Sequence, residues 1–372
     1  MKNAIAAVLE GPRNFQLREF PIPQVKEDDA VLRVEACGLC GTDYEQWLGH
    51  LRDWGGGMPI IPGHEVMGFI ETIGSHATKR WKVKEGDRVA IEPVIPCGHC
   101  ADCVAGAYTR CQSDMGYGLY HSTSVAPSLW GGYATHLYLH PRTMVHRLPD
   151  QVPTDLMTLF NPLSNAIRWV YEVGGVGLGS TVVIEGPGQR GLLAAAVAAR
   201  AGASNIIVTG TRRDAVRLKL AKQLGATVTI DVDQENPVQR VIEITSGKLA
   251  DVVLDVSAGA VAPVIQAIDM CRRGGRIVLA GLKGKNKLND FPVDKVVFRE
   301  IQLLGVLSAG WRSTEIAIEM IERDGVQFQP LCSHSFALES VTDAVATLGR
   351  ERANSEDVVH VTLAISGHIR KH

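Results

Sequence analysis

The chain has 372 residues, 45% hydrophobic and 21% charged, with a formal net charge of −2. That length exceeds one ordinary core and points to two domains, while the balanced charge offers neither a basic face for nucleic acid nor an acidic tail. No apolar run approaches the roughly 20 residues that span a bilayer. The opening "MKNAIAAVLEGPRNF" has only a short apolar patch before Glu10 and Arg13, so neither a signal peptide nor a membrane partner is expected. A cytoplasmic setting follows as an expectation, in which cysteines serve metals or catalysis rather than disulfides.

In chain order, the first 150 residues read as short β segments between Gly and Pro, such as "AVLRVEACG" (30–38) and "GDRVAIEP" (86–93). From about Thr181 the pattern changes. The buried strand "TVVIEG" leads to a glycine-rich turn and the Ala-rich helix "LLAAAVAARAGA". Strand "NIIVTG", helix "DAVRLKLAKQLGA", strand "DVVLDVS", a helix to about Arg272 and strand "GRIVLAG" follow. Such alternation predicts a parallel sheet with helices on both faces, so the fold class is α/β with a second, β-rich domain. After about Ala309 come a helix, "TEIAIEMIERDG", and a strand, "DVVHVTLAI", expected to rejoin the first domain.

Four cysteines, Cys97, Cys100, Cys103 and Cys111, have the spacing C-x2-C-x2-C-x7-C. Four thiolates in so short a loop suit a tetrahedral, closed zinc site, structural because no coordination position stays open. Thiolates also bind iron–sulfur clusters, but nothing else here suggests electron transfer. The pair Cys37 and Cys40 reads C-x-x-C, yet it lies in the β-rich part rather than at the helix start of a βαβ unit. Cys271 and Cys332 read as packing residues.

"GLCGTD" (38–43) and "PGHEVMG" (62–68) form the next constellation. Together with Gly74, Ala77, "VKEGDRV" (83–89), the four-cysteine lobe and "GGYATH" (131–136), in that order, they resemble the zinc-dependent medium-chain alcohol dehydrogenase/reductase family, near its polyol and threonine dehydrogenases. The resemblance implies a GroES-like catalytic domain over 1–160 and 309–372, with a structural zinc lobe at 93–112, and a Rossmann domain over 161–308. It also implies that Cys40 and His64 hold a catalytic zinc with Glu65 and water, and that Thr42 takes the alcohol proton. Two positions depart from the pattern. Asn161, in "LFNPLSNAI", stands where a cysteine or glutamate is usual; it is expected to bond the water or substrate. Glu45 replaces a relay histidine, and serves either as relay or as a plain surface carboxylate.

"GPGQRG" (186–191) fits G-x-G-x-x-G between a strand and a helix. Gly186 and Gly188 allow a tight turn against pyrophosphate, Gly191 allows helix–strand packing, and the amides from Gln189 onward face the phosphates. Arg190 either reaches phosphate or faces solvent. At the end of the next strand, "VTGTRRD" places Gly210 where NAD enzymes carry an acid, followed by Thr211, Arg212 and Arg213. Room for a 2′-phosphate and arginines to pair with it favour NADP(H) over NAD(H). Asp214 and the backbone amides leave NAD open.

Trp47, Trp54, Leu119, Trp130 and Phe160 are candidate cleft walls, and Tyr117, Tyr120 and His121 a candidate cover for its mouth. The whole reads as an alcohol dehydrogenase/ketone reductase with two zinc ions per chain, using NADP(H) on a secondary or polyol-like alcohol. The rivals are an NAD-dependent counterpart, a zinc-free enone or quinone reductase, and a non-enzymatic redox sensor. By resemblance alone a homotetramer is favoured over a dimer.

Overall fold

The first strand, β1 (Asn3–Gly11), pairs antiparallel with β2 (Asn14–Pro21) as a hairpin closed at Arg13, which takes a positive φ of 60°. The structure, a computed structural model, describes residues 3–51, 57–113, 115–353 and 355–366. It divides into one unit of Met1–Asn161 with Gly310–His372 and another of Pro162–Ala309.

The first unit continues with β3 (Ala30–Leu39), β4 (Glu65–Ile73), β5 (Arg88–Ile91), β6 (His136–Leu139) and β7 (Val145–Arg147). β3 is buried along all but one residue, because strands flank it on both sides. The chain then builds the second unit with β8 (Thr181–Glu185), β9 (Asn205–Gly210), β10 (Val228–Asp231), β11 (Ala250–Asp255), β12 (Cys271–Leu279) and β13 (Gln302–Gly305). It returns for β14 (Cys332–Phe336) and β15 (His360–Ala364), and β15 pairs antiparallel with the end of β3. The first unit's main sheet runs β14-β15-β3-β4-β5-β7, with β6 also on β3.

In the second unit the order is β10-β9-β8-β11-β12-β13, all parallel. The strand order reverses between β8 and β11, the switch point at which open α/β sheets bind ligands. Central β8 is buried on both faces and reads as an unbroken apolar run, "TVVI". Helix Gln189–Arg200 buries nearly every residue, and its alanines let it lie close against the sheet. The strand expected at "GRIVLAG" begins earlier, at Cys271, which already pairs with Ala250 of β11; Gly274 takes a positive φ in the register shift that follows. β1, β2, β10 and β13 had no separate expectation; β10 and β13 have four residues each, too few for a period-2 pattern to stand out.

Arg88 at the head of β5 reaches across the first unit's sheet to Glu35 on β3. Its Nε and Nη2 donate to the carboxylate at 2.7 and 2.9 Å, and Nη1 donates to the carbonyls of Pro149 and Val152. Both side chains are buried. Arg88→Met strands the Glu35 carboxylate in the core. Loss of one partner of such a pair costs about 3–5 kcal/mol, to be read as a lowered urea midpoint. Pairing it with Glu35→Gln should recover part of that loss.

Candidate metal centres and dinucleotide site

β3 ends at Leu39, and Cys40 caps the helix Gly41–Trp47 in extended conformation. Asp43, three residues on, accepts from the Cys40 N–H at 2.9 Å and closes a capping box. The loop before β4 brings in His64, and β4 starts with Glu65. The Nε2 of His64 lies 3.2 Å from the Cys40 sulfur, while its Nδ1 faces the Asp43 carboxylate at 3.5 Å. Ligand atoms of Cys40, His64 and Glu65 all lie within 4.8 Å of one another, and all three residues are buried. Burial pulls His64 down, but the Cys40 sulfur and the Asp43 carboxylate hold it well above its ordinary range. Burial likewise pushes Asp43 up, and the facing imidazole holds it below the carboxylate range.

The pocket thus collects two carboxylates and a thiol around one imidazole and calls for positive charge. A proton on His64 supplies one unit; a divalent cation supplies two and leaves Nε2 free to ligate. One sulfur, one ring nitrogen and one carboxylate with a fourth position open is a donor set zinc accepts. Asp43 would then fix the ring through Nδ1, as carboxylates commonly do for ligating histidines. Sequence reasoning passed over Asp43; its signal was an acid three residues after a helix cap.

Behind this centre lies His360, fully buried, with Nε2 2.8 Å from the Thr158 hydroxyl. A Cβ on Gly38 would meet Glu65 Oε2 at 2.7 Å and His360 Cε1 at 3.1 Å, so a glycine is required where they converge.

In the four-cysteine lobe the sulfurs also lie within 4.8 Å of one another. Sulfurs 2.3 Å from a single tetrahedral ion sit about 3.8 Å apart; Cys97 and Cys103 are 3.9 Å apart. Backbone N–H groups of Cys97, Cys100 and Cys103 donate to the sulfurs of Cys111, Cys97 and Cys100 at 3.2, 3.3 and 3.5 Å. Desolvation pushes the Cys111 thiol up, but hydrogen bonds from Ser113 and the Cys97 amide bring it down to about 6. The lobe fits zinc, and all eight cysteines are free of disulfides. Tyr108, between the third and fourth cysteines, donates to Glu92 at 2.8 Å and accepts from the Trp311 N–H. His146, with no exposed surface, is held between Glu92 (3.0 Å) and Glu315 and lies against the Trp311 ring. This network, buried at His146 and Glu92, half-buried at Glu315 and exposed at Trp311, fastens the lobe to β5, β7 and the helix Trp311–Asp324, and no sequence motif announced it.

Thr42 is half-buried in the first turn of its helix, and the Glu45 carboxylate lies in hydrogen-bond contact with His50 Nδ1 at 2.8 Å. Asn161 is buried at the second residue of the helix Phe160–Ile167. Of the cleft candidates, Trp47, Tyr117 and Trp130 belong to the first unit's core, the commoner place for such side chains; there the Tyr117 hydroxyl bonds Thr143 and the Trp130 N–H bonds the Val125 carbonyl. Phe160 is buried; Leu119, Tyr120 and His121 are half-buried. Trp54 lies outside the described residues.

At the switch point, Gly186 has φ +105° and Gly188 caps the helix Gln189–Arg200. A Cβ on Gly191 would meet the Gly186 carbonyl oxygen at 1.9 Å. Gln189 is buried in the first turn, and the Arg190 guanidinium lies 5.7 Å over the Trp169 ring, half-buried, a placement neither expectation named. Gly210 is constrained by packing, since a Cβ there would meet Pro187 Cγ at 2.7 Å. Thr211, Arg212 and Arg213 are exposed.

Glu185, just before the glycine loop, is a buried acid, held well above the carboxylate range by burial and then by Asp255, against the pull of Lys283. Lys283 pairs with Asp255 at 2.8 Å. That shift favours the neutral form and so lessens negative charge under the glycine loop.

Residues 26–150 match the family described as alcohol dehydrogenase GroES-like domain, and 191–323 that described as zinc-binding dehydrogenase. The chain belongs to the zinc-dependent medium-chain dehydrogenase family, and is an oxidoreductase by class. A Mycobacterium tuberculosis (strain ATCC 25618 / H37Rv) protein named probable alcohol dehydrogenase is 43% identical over 353 residues, 93% of this chain and 95% of that one. An erythritol/L-threitol dehydrogenase of Mycolicibacterium smegmatis is 31% identical over 342 residues, 90% of this chain and 91% of its own. A zinc-binding dehydrogenase from Sinorhizobium meliloti 1021, solved bound to NADP, superposes with a TM-score of 0.85 at 25% identity. That match covers 98% of this chain and 100% of the other. Among the described residues no helix is long and apolar enough to cross a membrane.

Burial alone brings His360 down to about 3. The unfolded chain binds this proton below about 6.5 and the folded chain does not, so stability falls as pH drops through that window. Between pH 7 and pH 5 the loss from this group is about 2 kcal/mol at about 1.4 kcal/mol per unit. Urea unfolding at the two pH values should show it, and His360→Gln should flatten the difference by that amount.

Proposed function

We propose that the protein is a zinc-dependent alcohol dehydrogenase/ketone reductase that exchanges hydride between NADP(H) and a secondary or polyol-like alcohol. The observation that carries this reading is the buried convergence of Cys40, His64 and Glu65. The names of the relatives, an alcohol and an erythritol/L-threitol dehydrogenase, support the substrate class; the NADP bound to the S. meliloti protein supports the coenzyme.

When bound, zinc supplies Lewis acidity that lowers the pKa of a substrate hydroxyl, and the dinucleotide supplies the hydride acceptor. Cys40, His64 and Glu65 would hold the metal, with Asp43 fixing the imidazole. Asn161, a neutral amide and poor zinc ligand, orients water or substrate by hydrogen bonding. Thr42 accepts the alcohol proton. Glu45, one helical turn on, passes it toward solvent with its partner His50. Cys97, Cys100, Cys103 and Cys111 hold a second, structural zinc. Gly186, Gly188, Gln189, Arg190 and Gly191 take the pyrophosphate, and Gly210, Thr211, Arg212 and Arg213 the adenosine ribose. The unit containing both cysteine sites is the catalytic one, and the other binds cofactor. The protein is cytoplasmic and assembles as a homotetramer.

Metal analysis is the first check. Purified protein should carry two zinc ions per chain and the Cys40→Ser/His64→Ala variant one, with its fold kept; two retained would refute the catalytic assignment. A second check is turnover on a panel of secondary alcohols and polyols. Thr42→Ala should lower kcat by about 10²–10⁴-fold, the range for a positioned proton acceptor, with little change in coenzyme affinity. Dinucleotide binding without hydride transfer on any panel member would favour a sensor instead.

A further inference from the structure

We propose that Asp233 sets the coenzyme preference by occupying, from within the chain, a donor that a ribose 2′-phosphate would need. This rests on the reading of 210–213 as the ribose site. Beyond Gly210 the chain turns into the helix Ala215–Gln223 through the short turn Arg212–Asp214. Three donors at its start are already taken by carboxylates. The Thr211 N–H and hydroxyl donate to Asp214 at 3.1 and 2.8 Å, and the Arg212 N–H donates to Asp233 at 2.8 Å.

Asp233 comes from the neighbouring strand's exit. β10 runs in register with β9, Asp231 opposite Gly210, and the Val232 N–H donates to the Gly210 carbonyl at 2.9 Å. The Asp233 N–H is itself tied to Asp231 at 3.1 Å. The carboxylate is therefore held at this rim by backbone pairing, although its side chain is exposed.

The charges at the rim balance. Arg212, Arg213 and Arg217 stand against Asp214, Asp231 and Asp233, and Arg217 is engaged with Asp214 at 3.7 Å. The guanidinium groups of Arg212 and Arg213 pair with no carboxylate among the described residues, so they remain for an incoming phosphate. Asp233 opposes them in two ways: it repels a dianionic phosphate, and it holds the Arg212 amide. A plain 2′-hydroxyl meets neither obstacle and can donate to the same carboxylate. The two arginines pull toward NADP and Asp233 toward NAD, so Asp233 narrows the enzyme's preference for NADP(H).

The test is fluorescence titration of the full-length zinc-loaded enzyme with NADPH and with NADH, for the native chain, Asp233→Asn and Arg212→Ala. Asp233→Asn should tighten NADPH about tenfold and weaken NADH severalfold, with the gain shrinking as salt is raised. Arg212→Ala should move the ratio the other way. If Arg212→Ala shifts the ratio and Asp233→Asn leaves it within twofold, the Asp233 proposal alone is overturned. If neither variant shifts it, the ribose lies elsewhere, and the reading of 210–213 falls together with the proposal.

Discussion

Charge in a dry place is the constraint on which the first unit's chemistry rests. Cys40, Asp43 and Glu65 converge on His64 where water has little access. Polar groups so placed are tolerated only when paired or bound to a cation. The surrounding structure serves that convergence. β3 delivers Cys40, the start of β4 delivers Glu65, and the capping box turns Asp43 toward the ring. His360 and Gly38 close the rear without adding a charge, since burial keeps that imidazole neutral.

The same economy appears in the second unit. Its switch point brings the acids Glu185 and Asp255 side by side in register. Lys283 neutralises one, and burial raises the proton affinity of the other. Both effects reduce negative charge beneath the glycine loop, which suits a ligand that carries its own. At the outer rim the balance is struck with exposed groups instead, where solvent and salt weaken each contribution.

Local spacing made much of this legible in the sequence. Four cysteines within fifteen residues, a glycine loop between a strand and a helix, and strict strand–helix alternation each declare a structure, because one short segment holds every participant. Groups that meet only through tertiary packing were silent. Nothing near His146 hints at Glu315, and nothing near Arg212 hints at Asp233. Aromatic residues were silent for the converse reason: Trp47, Tyr117 and Trp130 look alike whether they line a cleft or fill a core, and here they fill the core. Gly210 had two reasons where one was read, since contact with Pro187 excludes a side chain whatever the ribose carries.

The return of the chain to its first unit has a consequence for biogenesis. The second unit is one uninterrupted segment and can condense as soon as it leaves the ribosome. The first cannot, because β15, whose last residue is Ala364, pairs with the very end of β3 that presents Cys40. Throughout synthesis of the intervening residues, that sheet keeps an open edge. Six thiols, at Cys37, Cys40 and the four-cysteine lobe, wait in a half-built domain. The strand end that presents Cys40 is therefore completed only when β15 arrives.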